Sequence, residues 1–166
     1  MRKLITQFLI VTVVLSAGAS FALAQRTRKN LIEVKIYLAK ETEEYDERNP
    51  HGLVAVTRMV DARSPLRGAL VALTGNVTRR EENQKLFSAM FGIKLLSARL
   101  EKGTAYAYFT MPEEAYFSGD SSPFVFKDAV ERTALQFPTV KKVVVCLDGV
   151  LDFWSESEEP ARKCPE

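Results

Sequence analysis

The run Thr133-Ala134-Leu135-Gln136-Phe137-Pro138-Thr139-Val140-Lys141-Lys142-Val143-Val144-Val145-Cys146-Leu147-Asp148-Gly149 decides how this chain folds. Its first half continues a helical spacing that starts upstream at Ser122-Pro123, with Phe126, Ala129, Val130, Thr133, Ala134 and Phe137 on one stripe. Pro138 stops the helix, because proline has no amide hydrogen to donate and its ring clashes with the preceding turn. Residues 143–147 then read as a buried strand, Asp148-Gly149 as a tight turn, and residues 150–153 as the second arm of a closing hairpin. A helix that passes so directly into a strand buries Phe137 under a sheet and fixes the register of Val143 and Val145.

Upstream, residues 31–38 alternate, with Ile32, Val34, Ile36 and Leu38 on one side, which predicts a half-buried strand. Residues 40–52 are acidic and rich in breakers, hence a loop, and residues 53–60 form a second strand with Val54, Val56 and Val60 on one face. Ser64-Pro65 opens a helix, with the Ser oxygen free to cap its amides, and Leu66, Ala69, Leu70 and Leu73 carry it to Gly75. Thr78-Arg79-Arg80-Glu81 is a capping box ahead of a short helix over residues 81–87. Residues 94–100 and 104–110 are strands joined by the turn Glu101-Lys102-Gly103. The order implies an α+β fold: a mixed, largely antiparallel sheet of about five to six strands, with about three helices packed mainly on one face, in a single domain.

Met1 to Ala24 begins with Arg2 and Lys3, continues through an apolar core, and ends Ala22-Leu23-Ala24 before Gln25. That pattern predicts a signal peptide over residues 1–24, cleaved between Ala24 and Gln25. A short basic lead-in then covers 25–30, the folded domain 31–153, and a polar, acidic tail 154–166. With no cysteine near residue 25 to be acylated, the expectation is a secreted or periplasmic product that is not a lipoprotein. Membrane attachment would come only through an uncleaved leader. The whole chain has 23 basic and 21 acidic residues, and removing Arg2 and Lys3 leaves 21 of each. A balanced chain lacks the basic footprint of a nucleic-acid binder.

Two cysteines permit one intramolecular bond. Cys146 and Cys164 either join, fastening the tail to the sheet, or remain a buried filler and a free thiol. Catalytic constellations are short of members. The only histidine, His51, sits in the turn Pro50-His51-Gly52, so triads and most transition-metal sites lack partners. The eight glycines are too scattered for a phosphate cradle, and no cofactor is expected. The acidic run 41–47 lacks the alternating ligands of a calcium loop. Glu113-Glu114 and Asp148 with Asp152 could form an acid and base pair. Each also has a plain structural role, the first as a short helix start after Pro112 and Asp148 as a turn residue. Tyr116, Phe117 and Phe124 flank a Ser/Gly/Asp loop and are candidates for a contact surface or a small-ligand site.

Taken in order, several segments resemble the GerMN domain of sporulation and spore germination proteins. These are Val34-Lys35-Ile36-Tyr37, Leu53-Val54-Ala55-Val56-Thr57-Arg58, Leu70-Val71-Ala72-Leu73-Thr74-Gly75 with Thr78 to Glu82, Ser88-Ala89, Leu95-Leu96-Ser97 and Gly103. The fullest resemblance lies in Thr133, Gln136, Phe137, Pro138, Val140 and Val143, closing on Asp148-Gly149. Asn76 and the turn Phe91-Gly92-Ile93 depart from the family pattern. The resemblance implies these motif residues are fold determinants. It also implies a non-catalytic cell-envelope module that works by contact with an envelope protein, a cell-wall glycan or a second copy. The alternatives are a carboxylate-dependent cell-wall glycan enzyme and a small-ligand-binding periplasmic domain.

Overall fold

The computed structural model describes residues 30–41, 46–117, 119–155 and 160–165. The leader, its cleavage point and residues 25–29 of the lead-in lie outside the described residues. In chain order the elements are β1 (Leu31–Lys40), β2 (Leu53–Asp61), α1 (Pro65–Leu73), α2 (Arg79–Asn83), β3 (Leu86–Phe87), β4 (Met90–Phe91), β5 (Lys94–Glu101), β6 (Thr104–Thr110), β7 (Tyr116–Phe117), α3 (Ser122–Leu135) and β8 (Lys142–Leu147). The fold is α+β, with three helices among the described residues and strands that are mostly antiparallel.

The strands divide between two sheets of three and one small ribbon, where the alternation pattern suggested a single larger sheet. The first sheet runs β2-β1-β3 and is antiparallel throughout. In the second, β5-β6-β8, the β5–β6 hairpin is antiparallel and β8 lies parallel to β6, with Thr104 opposite Lys142 and Phe109 opposite Leu147. The ribbon pairs β4 with β7. Alternation shows that a strand is half-buried; it does not show which neighbour it pairs with, and that choice is made by distant contacts.

Both longer helices bind the sheets together. α1 packs on β1, β2 and β5, α3 packs on β1 and β8, and the two helices touch each other. Ile36, Leu38, Leu70, Phe109 and Val130 are fully buried in the shared core. Phe109 meets Phe126 edge to face, with centroids 5.0 Å apart, the preferred geometry for two rings with opposite face and edge polarity. α1 approaches β2 most closely at Gly68, where an added Cβ would lie 2.7 Å from Cβ of Val60. Only glycine lets the helix seat there.

Local chemistry departs from expectation in several places. α2 is Arg79–Asn83, shorter than residues 81–87, because Lys85 turns to a φ of 59° and sends Leu86 and Phe87 into β3 beside β1. The Ser64 side chain makes no cap; at α1 its backbone carbonyl accepts from the Gly68 amide instead, and α3 begins at Ser122 itself, one residue ahead of Pro123. Glu113-Glu114 forms a turn, not a helix start, closed by the amide of Ala115 donating to the Pro112 carbonyl. The closing hairpin stops after one bridge, Leu147 to Val150, because the tail competes for Val150 and bridges it through Lys163.

Candidate functional site

The motif around Phe137 forms a corner. Gln136 follows α3, and its side-chain amide lies against the backbone of Lys35 in β1. Oε1 accepts from the Lys35 amide at 2.8 Å, and Nε2 donates to the Lys35 carbonyl at 2.7 Å. Those are the two bonds a neighbouring strand would make, so Gln136 substitutes for one residue of sheet partner. Phe137 packs toward Val34, Val60 and Ala69 on one side and Ala105, Ala134 and Val140 on the other. Thr133 is fully buried, Val140 nearly so, and Val143 is half-buried. Past Pro138, the amides of Lys141 and Lys142 both donate to the Gly103 carbonyl, which sets β8 beside β6. Gly103 (φ 83°) and Lys102 (φ 48°) make the tight turn that presents this carbonyl.

Asp148 and Gly149 take the positive φ values, 47° and 80°, that their turn requires. Asp148 does more than turn. Its carboxylate accepts from the Thr110 hydroxyl at 2.7 Å and from the Met111 amide at 3.2 Å, tying the end of β6 to the end of β8. Asp152 holds Arg162 in a two-pronged pair at 2.7 and 2.5 Å. That guanidinium keeps the Asp152 carboxyl below its usual range. Asp148 and Asp152 therefore serve separate structural partners. Glu114 reaches Lys94 at 3.6 Å on the surface.

Residues 160–165 return along the chain end. Cys146 and Cys164 are joined by a disulfide with Cα atoms 6.0 Å apart, the Cys164 amide donates to the Gly149 carbonyl, and the Tyr108 hydroxyl donates to the Pro165 carbonyl at 2.6 Å. Cys146 is buried beneath this strap.

A further ion pair also escaped sequence reasoning. Arg58 in β2 donates both guanidinium nitrogens to Glu81, at 2.6 and 2.8 Å. Glu81 is buried, and it also completes the capping box by accepting from the Thr78 amide at 2.8 Å. The Arg58 guanidinium, assisted by Thr78 and opposed by burial, holds the Glu81 carboxyl at about 2. The capping-box spacing was visible; a partner 23 residues away was not.

Among the described residues no three His, Cys, Asp or Glu side chains gather as metal ligands. His51 sits in its turn at partial exposure. Neighbouring Asn49 brackets the Leu53 backbone with its amide, accepting from the amide and donating to the carbonyl at 3.0 Å each.

The aromatic candidates separate. Phe117 turns toward the core, Phe124 lies on α3 with 41% of its surface exposed, and Tyr116 is 57% exposed on the ribbon. Tyr116 stacks on Phe91, its cross-strand partner, with centroids 5.3 Å apart and 24° between planes. Phe91 was missing from the sequence candidates because β4 is too short to give any period. It also borders an open cleft of about 280 Å³ lined by Thr74, Asn76, Val77, Glu82, Ser88 and Phe91, with Gly75 and Gly92 completing the wall. Both departures from the family pattern, Asn76 and the turn at Phe91-Gly92, thus face the same space.

No curated protein matches this chain. The tandem GerMN domains of the sporulation protein GerM from Bacillus subtilis are similar in structure, with a TM-score of 0.56 at 19% identity. The match covers 82% of this chain and 46% of that one, so the chain spans about half the length of that structure. The first GerMN domain of the same protein gives 0.51 at 21% identity over 71% of this chain and 84% of its own. These likenesses establish the fold. A Clostridium perfringens structure described as a "Putative Lipoprotein" gives 0.43 at 16% identity, over 72% and 76%. The localisation expected from the leader is corrected. A secreted or periplasmic product that is not a lipoprotein is withdrawn, since a missing cysteine near residue 25 speaks to one acylation position and does not set the compartment. A family model described as "Sporulation and spore germination" matches residues 35–151, the greater part of the chain, and the chain belongs to that family.

Proposed function

We propose that this domain acts by contact and without catalysis, presenting the β4–β7 ribbon to a protein or glycan partner or to a second copy of itself. The observation that carries this reading is the stacked pair Phe91 and Tyr116, held in register by the ribbon while both rings stay exposed. Two aromatic rings ordered at the surface give contact area at little entropic cost, since each has only two side-chain torsions to lose. Three of the four carboxylates that an acid and base mechanism would draw on are engaged elsewhere. Asp148 ties two strand ends, Asp152 holds Arg162, and Glu114 reaches Lys94.

The test compares three variants in light scattering and in retention on immobilised cell-wall glycan and envelope protein. Self-association or retention lost in Phe91→Ala and Tyr116→Ala but kept in Phe124→Ala is the expected result. Equal behaviour of all three variants and the parent overturns the reading. So does peptidoglycan turnover that vanishes when Asp148 or Asp152 is replaced.

A further inference from the structure

We propose that the cleft beside Phe91 receives one neutral pyranose unit of a glycan, an assignment that rests on the contact reading above and names its ligand. The chemistry of the wall selects the class. Phe91 supplies an apolar ring at the rim, suited to the C–H face of a sugar. Asn76 supplies an amide that can donate and accept, and Glu82 a carboxylate that accepts, both exposed and able to meet hydroxyl groups. Among the described residues Glu82 is the one charged residue of the lining, so none of them offers a cation to a phosphate, sulfate or acidic ligand. A purely apolar ligand would leave the amide and carboxylate facing it without partners.

The cleft is also fixed in shape. Tyr116 backs the Phe91 ring by stacking, and Gly92 (φ 76°) seats the ribbon so closely that an added Cβ would lie 3.0 Å from Cβ of Ala115. On the opposite wall, Val77 and Glu82 flank the capping box that Arg58 and Glu81 lock to β2. A site whose walls are already ordered loses little freedom on binding. At about 280 Å³ the space falls just below the range of drug-sized ligand pockets, which suits one ring of a longer chain.

The experiment titrates the full chain with chitotriose, maltotriose and inorganic phosphate, following amide shifts by NMR. Saturable shifts at residues 74–77, 82 and 88–92 with one of the trisaccharides, at a Kd of about 1 mM or tighter, are expected. They should weaken roughly tenfold in Phe91→Ala and also in Asn76→Ala, an exposed position where folding is not at risk. Phe124→Ala should bind as the parent does. No saturable shift with either sugar, shifts with phosphate alone, or full binding by Asn76→Ala and Phe91→Ala overturns the proposal. If sugars fail while Tyr116→Ala still abolishes retention of a protein partner, the contact reading stands and the glycan assignment falls.

Discussion

The two ends of the domain are closed by different means. The first sheet is completed without covalent bonds: the Gln136 amide takes the place of a strand at Lys35, on a stretch of β1 that the short β3 does not reach, and Asn49 does the same at Leu53 of β2. The second sheet is closed by a strap, in which the disulfide, the Asp152–Arg162 pair and the Tyr108–Pro165 bond hold residues 160–165 against it. Side-chain amides suit the first sheet because α3 delivers Gln136 to one place with both bonding groups in plane. The second sheet receives a segment that follows the last strand by more than ten residues, and closing that loop is what a covalent tie makes less costly.

The largest break in this contrast should come from removing the covalent tie. Cys164→Ser should lower stability by about 3 kcal/mol, as expected for opening a loop of this size, read as a lower urea midpoint; an unchanged midpoint would show that the strap adds nothing. The next effect is acid sensitivity on the first sheet. Glu81 is held at about 2 against an ordinary 4.5, so the unfolded chain binds more protons between those values. Its stabilisation is complete above the ordinary value and is lost as pH falls toward 2, by about 3 kcal/mol. In Glu81→Gln this part of the pH dependence of unfolding should disappear.

Gln136→Ala should cost about 1–2 kcal/mol, since two backbone groups lose partners at a place that water can partly reach, and hydrogen exchange should quicken at Lys35 while β8 stays protected. Exchange that quickens equally across both sheets would erase the distinction between the two closures. The smallest change belongs to Asp152→Asn, because its partner Arg162 is largely exposed and surface pairs contribute little. Its expected signature is faster exchange at Arg162 and Leu151 with an unchanged midpoint.

How much was legible depended on range. The period of two in β1 and β2, the helical stripe of α3, the capping box and the turns at Gly103 and Gly149 are local patterns, and each recurs in the structure near its expected place. The helix over 81–87 failed after Asn83 because Leu86 and Phe87 gain a partner in β1 that no local window contains. The hairpin arm at 150–153 failed because the competing partner, Lys163, comes from the tail. On the candidate surface, Tyr116 was found from composition, but Phe91 needed the β4–β7 pairing to appear beside it.

The sequence by itself determined the α+β class and the helix-to-strand corner at Phe137-Pro138, because those follow from periodicity, proline stereochemistry and turn residues acting over a few positions. Tertiary structure alone decided that the strands form two sheets, that Gln136 acts as a strand and that Arg58 meets Glu81. It also brought Phe91, Tyr116 and Asn76 around one cleft. Those outcomes depend on which distant groups can satisfy a backbone amide or a buried charge, and that is settled only when the chain has packed.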